Sequence, residues 1–410
     1  MTGGGAQLDL GTAGGALLAI CAAPDGDHGT HLRPLDQNGW SELVNLAART
    51  RTAGLVARSI DGCGGLDDAD KNAIAAIVGQ AQLDALTALA QGQACVQVIE
   101  NMQQGGFDPI ALKGLSLAFR DYPDPALRPL RDLDLLLRPD DAMAANRLLL
   151  NDPKFKQREG IATYGLEYGH QLPEIEEIKT GLVIELHHRI NARGWDQEPQ
   201  LVELLHNDVR SLGLLGRQVS VPSPHSNALH LIEHATLHHL FANGPLILSD
   251  LHYLFDRNTL DTEALRRDAE ALGLGRALAL LAHLADSLGA VWVPEDWLMC
   301  EDIAPPILSH ACSAILEQRE ETEQIAMLRR LSNGADGAAS LGQASQQMLR
   351  PSANQLSRLS GNRSDSALRW LGYPAWLLEK GRRYFAAIAT PKLVAKSRTR
   401  EELHQWMRGD

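Results

Sequence analysis

Apolar positions along most of the chain recur at three- and four-residue spacing, the period of a helix with one buried face. From Trp40 the set Leu43, Leu46, Ala47, Val56 and Ile60 follows it and breaks at Gly62, Gly64 and Gly65. A longer helix is predicted over 70–104, with Ile74, Ile77, Val78, Leu86, Leu89, Val96 and Ile99 on its stripe and Gly105-Gly106 as its stop. Residues 1–35, rich in Gly, Ala and Asp, show no sustained period and read as a flexible lead-in. The helical period returns from Pro224, near 225–241, 245–257, 262–272, 276–288 and 306–331, and again over 367–388. A Ser-, Gly-, Asn- and Gln-rich stretch over 332–366 is expected to loop out between them.

Between the helical segments the period shortens. Pro109-Ile110-Ala111-Leu112 reads as a buried strand ended by Lys113-Gly114, with a helical turn over 115–120 and a Pro-rich loop over 122–129. A second strand over 132–137 runs into Arg138-Pro139-Asp140-Asp141, which caps a helix over 142–150. Further strands are predicted over 164–175 and 181–188, joined by a charged turn around 176–180. Strands separated by single helices predict an α+β protein, a small mixed-sheet core embedded in a predominantly helical chain. The implied organisation is the lead-in, a helical segment over 36–105, an α/β domain over 106–222, and a helical domain with a basic tail over 223–410.

Composition narrows the class. The chain has 410 residues, 44% hydrophobic and 22% charged, which is ordinary globular usage and excludes fibrous or wholly disordered readings. No uncharged apolar run reaches the roughly 18–20 residues of a membrane span. The closest, over 10–23, is short, Gly-rich and preceded by Asp9 rather than a basic region, so neither membrane nor secretion signal is expected. Five scattered cysteines, without a Cys-x-x-Cys pair, suit a reducing cytoplasm and no structural zinc knuckle.

The net charge of −13 is uneven: residues 351–410 hold 11 Lys/Arg against 5 Asp/Glu, the rest 27 against 46. So acidic a body repels nucleic acid, and converging carboxylates within it would call for divalent cations. Arg382-Arg383 and the basic run over 392–400 read as a solvated helix face, with no aromatic interleaving to favour nucleic acid. Nothing in the pattern fixes an oligomeric state.

The stretch over 111–137 carries the chemistry. Asp132 and Asp134 stand two residues apart on a strand, so their carboxylates leave the same face. Such a pair repels unless cations lie between, and Mg²⁺, which accepts carboxylate and phosphate oxygens, fits. Gly114 and Ser116, at a strand-to-helix turn, would offer backbone N–H groups and a hydroxyl to phosphate. Lys113, Arg128 and Arg131 would add positive charge. A lone Asp-x-Asp is common by chance; the whole ordered set is much rarer.

In Leu112-Lys113-Gly114, Tyr122-Pro123-Asp124-Pro125, Arg128-Pro129 and Asp132-Leu133-Asp134 the sequence resembles the DNA polymerase β-like nucleotidyltransferases, specifically an uncharacterised bacterial branch. Leu115 separates Gly114 from Ser116 where the superfamily usually has Gly-Ser or Gly-Gly. The resemblance implies a third carboxylate on a later strand, and Glu185 is the acid there; the alternative is an edge Glu facing solvent or pairing with Arg189. His187, on the same face, would contact nucleotide, steady the acid or serve structure alone. It further implies two Mg²⁺ ions, with Mn²⁺ as substitute, held by Asp132, Asp134 and Glu185. Transfer of a nucleoside monophosphate from an NTP to a peptide, protein or small molecule would follow; relatives of the branch occur beside peptide-maturation enzymes. A nucleotide-binding module of the same fold with little turnover is the second class.

Six histidines fall between His225 and His252, and His230, His234 and His238 are spaced by four along one helix stripe. His230-Leu231-Ile232-Glu233-His234 also matches H-x-x-E-H, in which two histidines ligate zinc and Glu233 acts as base of a peptidase. Two other readings stay open. The histidines could be half-buried at a helix contact, bonded to carbonyls or Asp250, or His234, His238 and Asp250 could face the cleft and touch base or acceptor.

Overall fold

The structure, a computed structural model, describes residues 11–66, 69–158, 169–191, 195–333, 351, 353–362 and 366–409. The larger N-terminal helices are α1 (Ala13–Ala22), α2 (Gln37–Thr50), α3 (Ala53–Gly62) and α4 (Lys71–Gln104). Asp36 and Asp70 cap α2 and α4 by accepting backbone N–H bonds from the first turn. Strands interspersed with helices follow: β1 (Ile110–Ala111), β2 (Asp132–Leu136), α5 (Pro139–Leu150), β3 (Phe155–Gln157), β4 (Ile175–Glu177), β5 (Val183–His187), α6 (Glu198–Asn207), β6 (Val209–Leu214) and β7 (Arg217–Pro222). The larger C-terminal helices are α7 (Pro224–Glu233), α8 (Leu246–Arg257), α9 (Thr262–Ala271), α10 (Gly275–Ser287), α11 (Pro305–Ile315), α12 (Arg319–Asn333), α13 (Ala353–Ser360), α14 (Tyr373–Ile388) and α15 (Pro391–Arg408). The expected α+β architecture is the one observed.

One mixed sheet runs in the order β3-β4-β5-β2-β1-β7-β6. Strand β2 is parallel to β5 and β1 to β7, and the remaining pairs are antiparallel. Period-two alternation sorts its central strands. Leu133, Leu135, Ile184 and Leu186 pack with the α4 residues Val98, Ile99 and Met102 and the α5 residues Ala142, Ala145 and Leu149. Asp132, Asp134, Glu185 and His187 therefore leave by the opposite face. A second core joins the N-terminal helices to the C-terminal ones, from Leu17 and Trp40 to Tyr253, Leu281, Leu403 and Met407.

Several expectations need correction. Within the presumed lead-in, α1 is a helix with all ten residues buried. A helix apolar on every side has no amphipathic period to reveal it. Of the strand expected over 164–175, residues 164–168 lie outside the described part, and β4 begins only at Ile175, its last residue, and runs on to Glu177 in the expected charged turn. The hairpin β6–β7 turns at Leu215 and Gly216, both with positive φ, the geometry of a two-residue hairpin loop. In the presumed loop over 332–366, residues 353–360 form α13, while 334–350, 352 and 363–365 lie outside the described part.

Helix α4, 34 residues long, is apolar enough to cross a bilayer by length and composition. Its C-terminal part packs under the sheet, but Val78, Leu86 and Leu89, assigned to its buried stripe, are exposed. The basic tail is not simply a solvated face. Lys396 pairs with Glu321 at 2.7 Å, and Arg400, 5% exposed, pairs with Glu317 at 2.7 Å.

Candidate active site

Parallel pairing of β2 with β5 sets Asp134 opposite Glu185 and Leu136 opposite His187. Nε2 of His187 lies 2.8 Å from Oδ1 of Asp134 and 3.4 Å from Oε2 of Glu185. One ligand atom from each of these three residues falls within 4.8 Å of the others. Lys113 approaches from the end of β1, its Nζ 3.3 Å from Oδ2 of Asp134. Its backbone takes φ +46°, a strained value for a side-chain-bearing residue, at the corner between strand and helical turn.

Charges in this enclosed space tune one another. Burial alone would raise the Asp134 carboxyl, but the Lys113 ammonium and the His187 imidazole hold it well below the usual range. Burial and the like charges of Asp134 and Glu185 push Asp132 up to about 7. Burial opposes a charge on His187, yet its bonds to Asp134 and Glu185 raise it to about 9. Lys113 is raised because Asp134, Asp132 and Glu185 outweigh its desolvation.

The other residues singled out in the sequence divide. Gly114 packs tightly, since a Cβ there would stand 3.2 Å from Leu130 Cδ2. Ser116 is fully buried and donates its hydroxyl to the Lys113 carbonyl at 2.9 Å, so it is not turned toward a ligand. Arg128 is spoken for as well: Nε and Nη2 donate to the two oxygens of Asp250 at 2.7 and 3.0 Å. Tyr122 adds its hydroxyl to Asp250 at 2.7 Å. Asp250 therefore sits in a buried ion pair rather than facing a base or acceptor. Arg131 remains half exposed, with Nε 3.9 Å from Asp132. Sequence reading missed Arg51, which ends α2 in a left-handed conformation and comes within electrostatic reach of Asp132, Arg128 and Arg131. A cation placed by a helix end has no local motif to announce it.

The histidines gather beside the carboxylates. Rings of His187 and His170 are 5.6 Å apart, His170 and His238 5.1 Å, and His234 and His238 5.4 Å. His170, also missed, is set by its carbonyl, which accepts the backbone N–H groups of His188 and Arg189. Burial keeps His234, His238 and His239 neutral, the last lowered to about 4. The H-x-x-E-H reading fails on access. Glu233 is fully buried, accepts a hydrogen bond from Asn191 and is raised to about 8 by burial, so it cannot meet a peptide and water.

Two comparisons bear on this arrangement. The family model described as uncharacterised nucleotidyltransferase matches residues 36–290, from just before α2 to just beyond α10, and so contains the whole sheet and both clusters. No curated protein matches the chain.

Proposed function

The chain belongs to the uncharacterised nucleotidyltransferase family, and on that premise we propose that it moves a nucleoside monophosphate from an NTP, with Mg²⁺, onto a peptide, protein or small-molecule acceptor. The observation that carries this reading is the convergence of Asp134, Glu185 and His187, with Asp132 on the same sheet face. The carboxylates of Asp134 and Glu185, with oxygens within 4.8 Å of each other, suit a divalent cation, and Asp132 is the natural further oxygen donor. Mn²⁺ would substitute. When bound, the divalent ion supplies charge to polarise the transferred phosphate and to offset the departing pyrophosphate.

The protein's own residues supply placement. Asp132 and Asp134 hold the cation side of the site, and Glu185 orients the attacking group of the acceptor. Arg131 and Arg51 are the cations available to the triphosphate, since Arg128 is committed to Asp250. Lys113 keeps Asp134 ionised and so ready to bind metal. Catalysis of this kind rests on position and charge rather than covalent chemistry. A cytoplasmic location, where NTPs and Mg²⁺ coexist, goes with this reading.

The test is a thermal-shift screen of the full chain with ATP, GTP, CTP and UTP, with and without Mg²⁺, followed by transfer of α-phosphate label. One NTP should stabilise only with metal, and Asp134→Asn should abolish both stabilisation and transfer. If no NTP stabilises the chain, or Asp134→Asn transfers label at the wild-type rate, the reading is lost. One observation favours a binding module with little turnover: both oxygens of Asp134 are already satisfied, by Lys113 and His187. Metal-dependent NTP binding without transfer to any acceptor would select that reading.

A further inference from the structure

Helix α7 does not continue as an α-helix. Residues His234–His238 form a π-helical turn, and the His239 N–H donates to the His234 carbonyl at 3.1 Å. At 3.6 residues per turn, positions five apart point about 140° away from each other. The wider turn brings His239 back under His234, with ring centroids 4.4 Å apart, while His238 and His239 stack at 4.5 Å. One imidazole nitrogen from each of His234, His238 and His239 lies within 4.8 Å of the other two.

The irregularity is held at a cost. Leu240 and Phe241, immediately after the turn, both adopt positive φ, at 49° and 66°. Two consecutive left-handed non-glycine residues are strained and survive only where packing over-determines them. Both side chains are buried, and the Leu240 carbonyl accepts a hydrogen bond from Arg400 of α15. Single π-turns of this kind are frequent at functional sites. A second observation points to an absent ligand: Nδ1 of His234 and Nδ1 of His238 are buried without a hydrogen-bond partner among the described residues.

We propose that His234, His238 and His239 form a metal site of their own, taking Zn²⁺ or a similar divalent transition metal next to the carboxylate cluster. Imidazole donors suit zinc, whereas carboxylates suit Mg²⁺, so the neighbouring donor sets would sort two kinds of ion. Three histidines leave the fourth position of a tetrahedral ion open. All three side chains are only partly buried, which gives an ion a way in. The His170 ring stands between this cluster and His187. The site differs from the H-x-x-E-H reading, which lacks His238 and His239 and depends on the inaccessible Glu233. It does not rest on nucleotidyl transfer.

The experiment is zinc titration of the full-length chain after chelator treatment, in excess Mg²⁺, read by metal content after gel filtration and by the visible spectrum of the Co²⁺-substituted protein. One equivalent of Zn²⁺ should be retained, with a Co²⁺ spectrum of tetrahedral nitrogen coordination. His234→Gln and His239→Gln should each weaken retention by at least about tenfold, the lower end of the loss known even for outer-shell partners of metal ligands. Asp134→Asn and Glu185→Gln should retain the ion. Absence of stoichiometric zinc in the wild-type chain overturns the proposal, and so does zinc lost in Glu185→Gln but kept in His239→Gln. The wild-type titration decides the matter even if a histidine variant fails to fold. Mg²⁺-dependent NTP stabilisation is a separate measurement, so failure here leaves the transfer reading standing.

Discussion

Nε2 of His187 lies 2.8 Å from Oδ1 of Asp134, and both side chains are almost wholly enclosed. With Lys113 on its other oxygen, Asp134 is the anion that balances two buried cations. Asp134→Asn keeps the shape and removes the charge. Breaking a buried pair from one side costs about 3–5 kcal/mol, so chemical denaturation should find the variant destabilised toward the lower end of that range, with transfer lost. The His187 pair also has a pH signature. Its folded pKa is raised from 6.5 to about 9, so its contribution is complete below pH 6.5 and declines as pH rises to about 9. The Asp134→Asn protein should lose that slope.

Asp132→Asn should behave in the opposite sense. Asp132 is pushed up to about 7, from 3.8, so the folded state holds its proton more tightly than the unfolded chain does. The wild type therefore loses stability from this group as pH rises from 3.8 to about 7, and the asparagine does not. Melting temperatures should match below that window and favour the variant above it, while transfer disappears. Equal melting curves at pH 8 would refute the raising of this carboxyl by burial and its acidic neighbours.

The same proton must leave when a cation binds. Mg²⁺ or Mn²⁺ affinity, measured with NTP present, should strengthen as pH rises through about 7. Calorimetry in buffers of different ionisation enthalpy should record proton release on metal binding near pH 6.5 in the wild type and little in Asp132→Asn.

Ser116 and Arg51 separate what the motif suggests from what the structure offers. Ser116→Ala should leave the KM for NTP within about twofold and cost about 1 kcal/mol of stability, the worth of one intramolecular hydrogen bond. Arg51→Gln should raise that KM by roughly tenfold, the size of a charged hydrogen bond to phosphate lost, with little change in melting temperature.

The Arg128–Asp250 pair ties the Pro-rich loop to α8, with Tyr122 bonded to the same carboxylate. Asp250→Ala leaves Arg128 buried and unpaired and should destabilise by about 3–5 kcal/mol, whereas Tyr122→Phe should cost about 1 kcal/mol. Denaturant midpoints check both. A stable Asp250→Ala protein with a lost acceptor interaction would return Asp250 to the role its sequence context suggested.

How much of this was legible can be followed residue by residue. Asp132, Asp134 and Glu185 could be set on one strand face each because side chains alternate with a period of two. Their meeting was implied by the resemblance alone and not by the period, because it depends on β2 and β5 pairing in parallel across 50 intervening positions. Lys113 was found from its motif, but the ion pair that occupies Arg128, and the turn that occupies Ser116, come from contacts with distant or backbone atoms. Helix α1 escaped because it is buried all round, and His239 because α-helical spacing sets it off the stripe to which a π-turn returns it.

By itself the sequence determined what is local and periodic: the mixed α/β centre between helical flanks, the acid-bearing strand faces, and the glycine corner beside a lysine. The tertiary structure alone decided which charges are spent on one another and which stay available. Arg128 goes to Asp250, Arg51 reaches the acids from a helix end, and three histidines close on a common point. The ion pairs depend on distances of a few ångströms between segments far apart in the chain, and the histidine cluster on a local π-turn held by distant packing, and no regular period along a strand or helix encodes either.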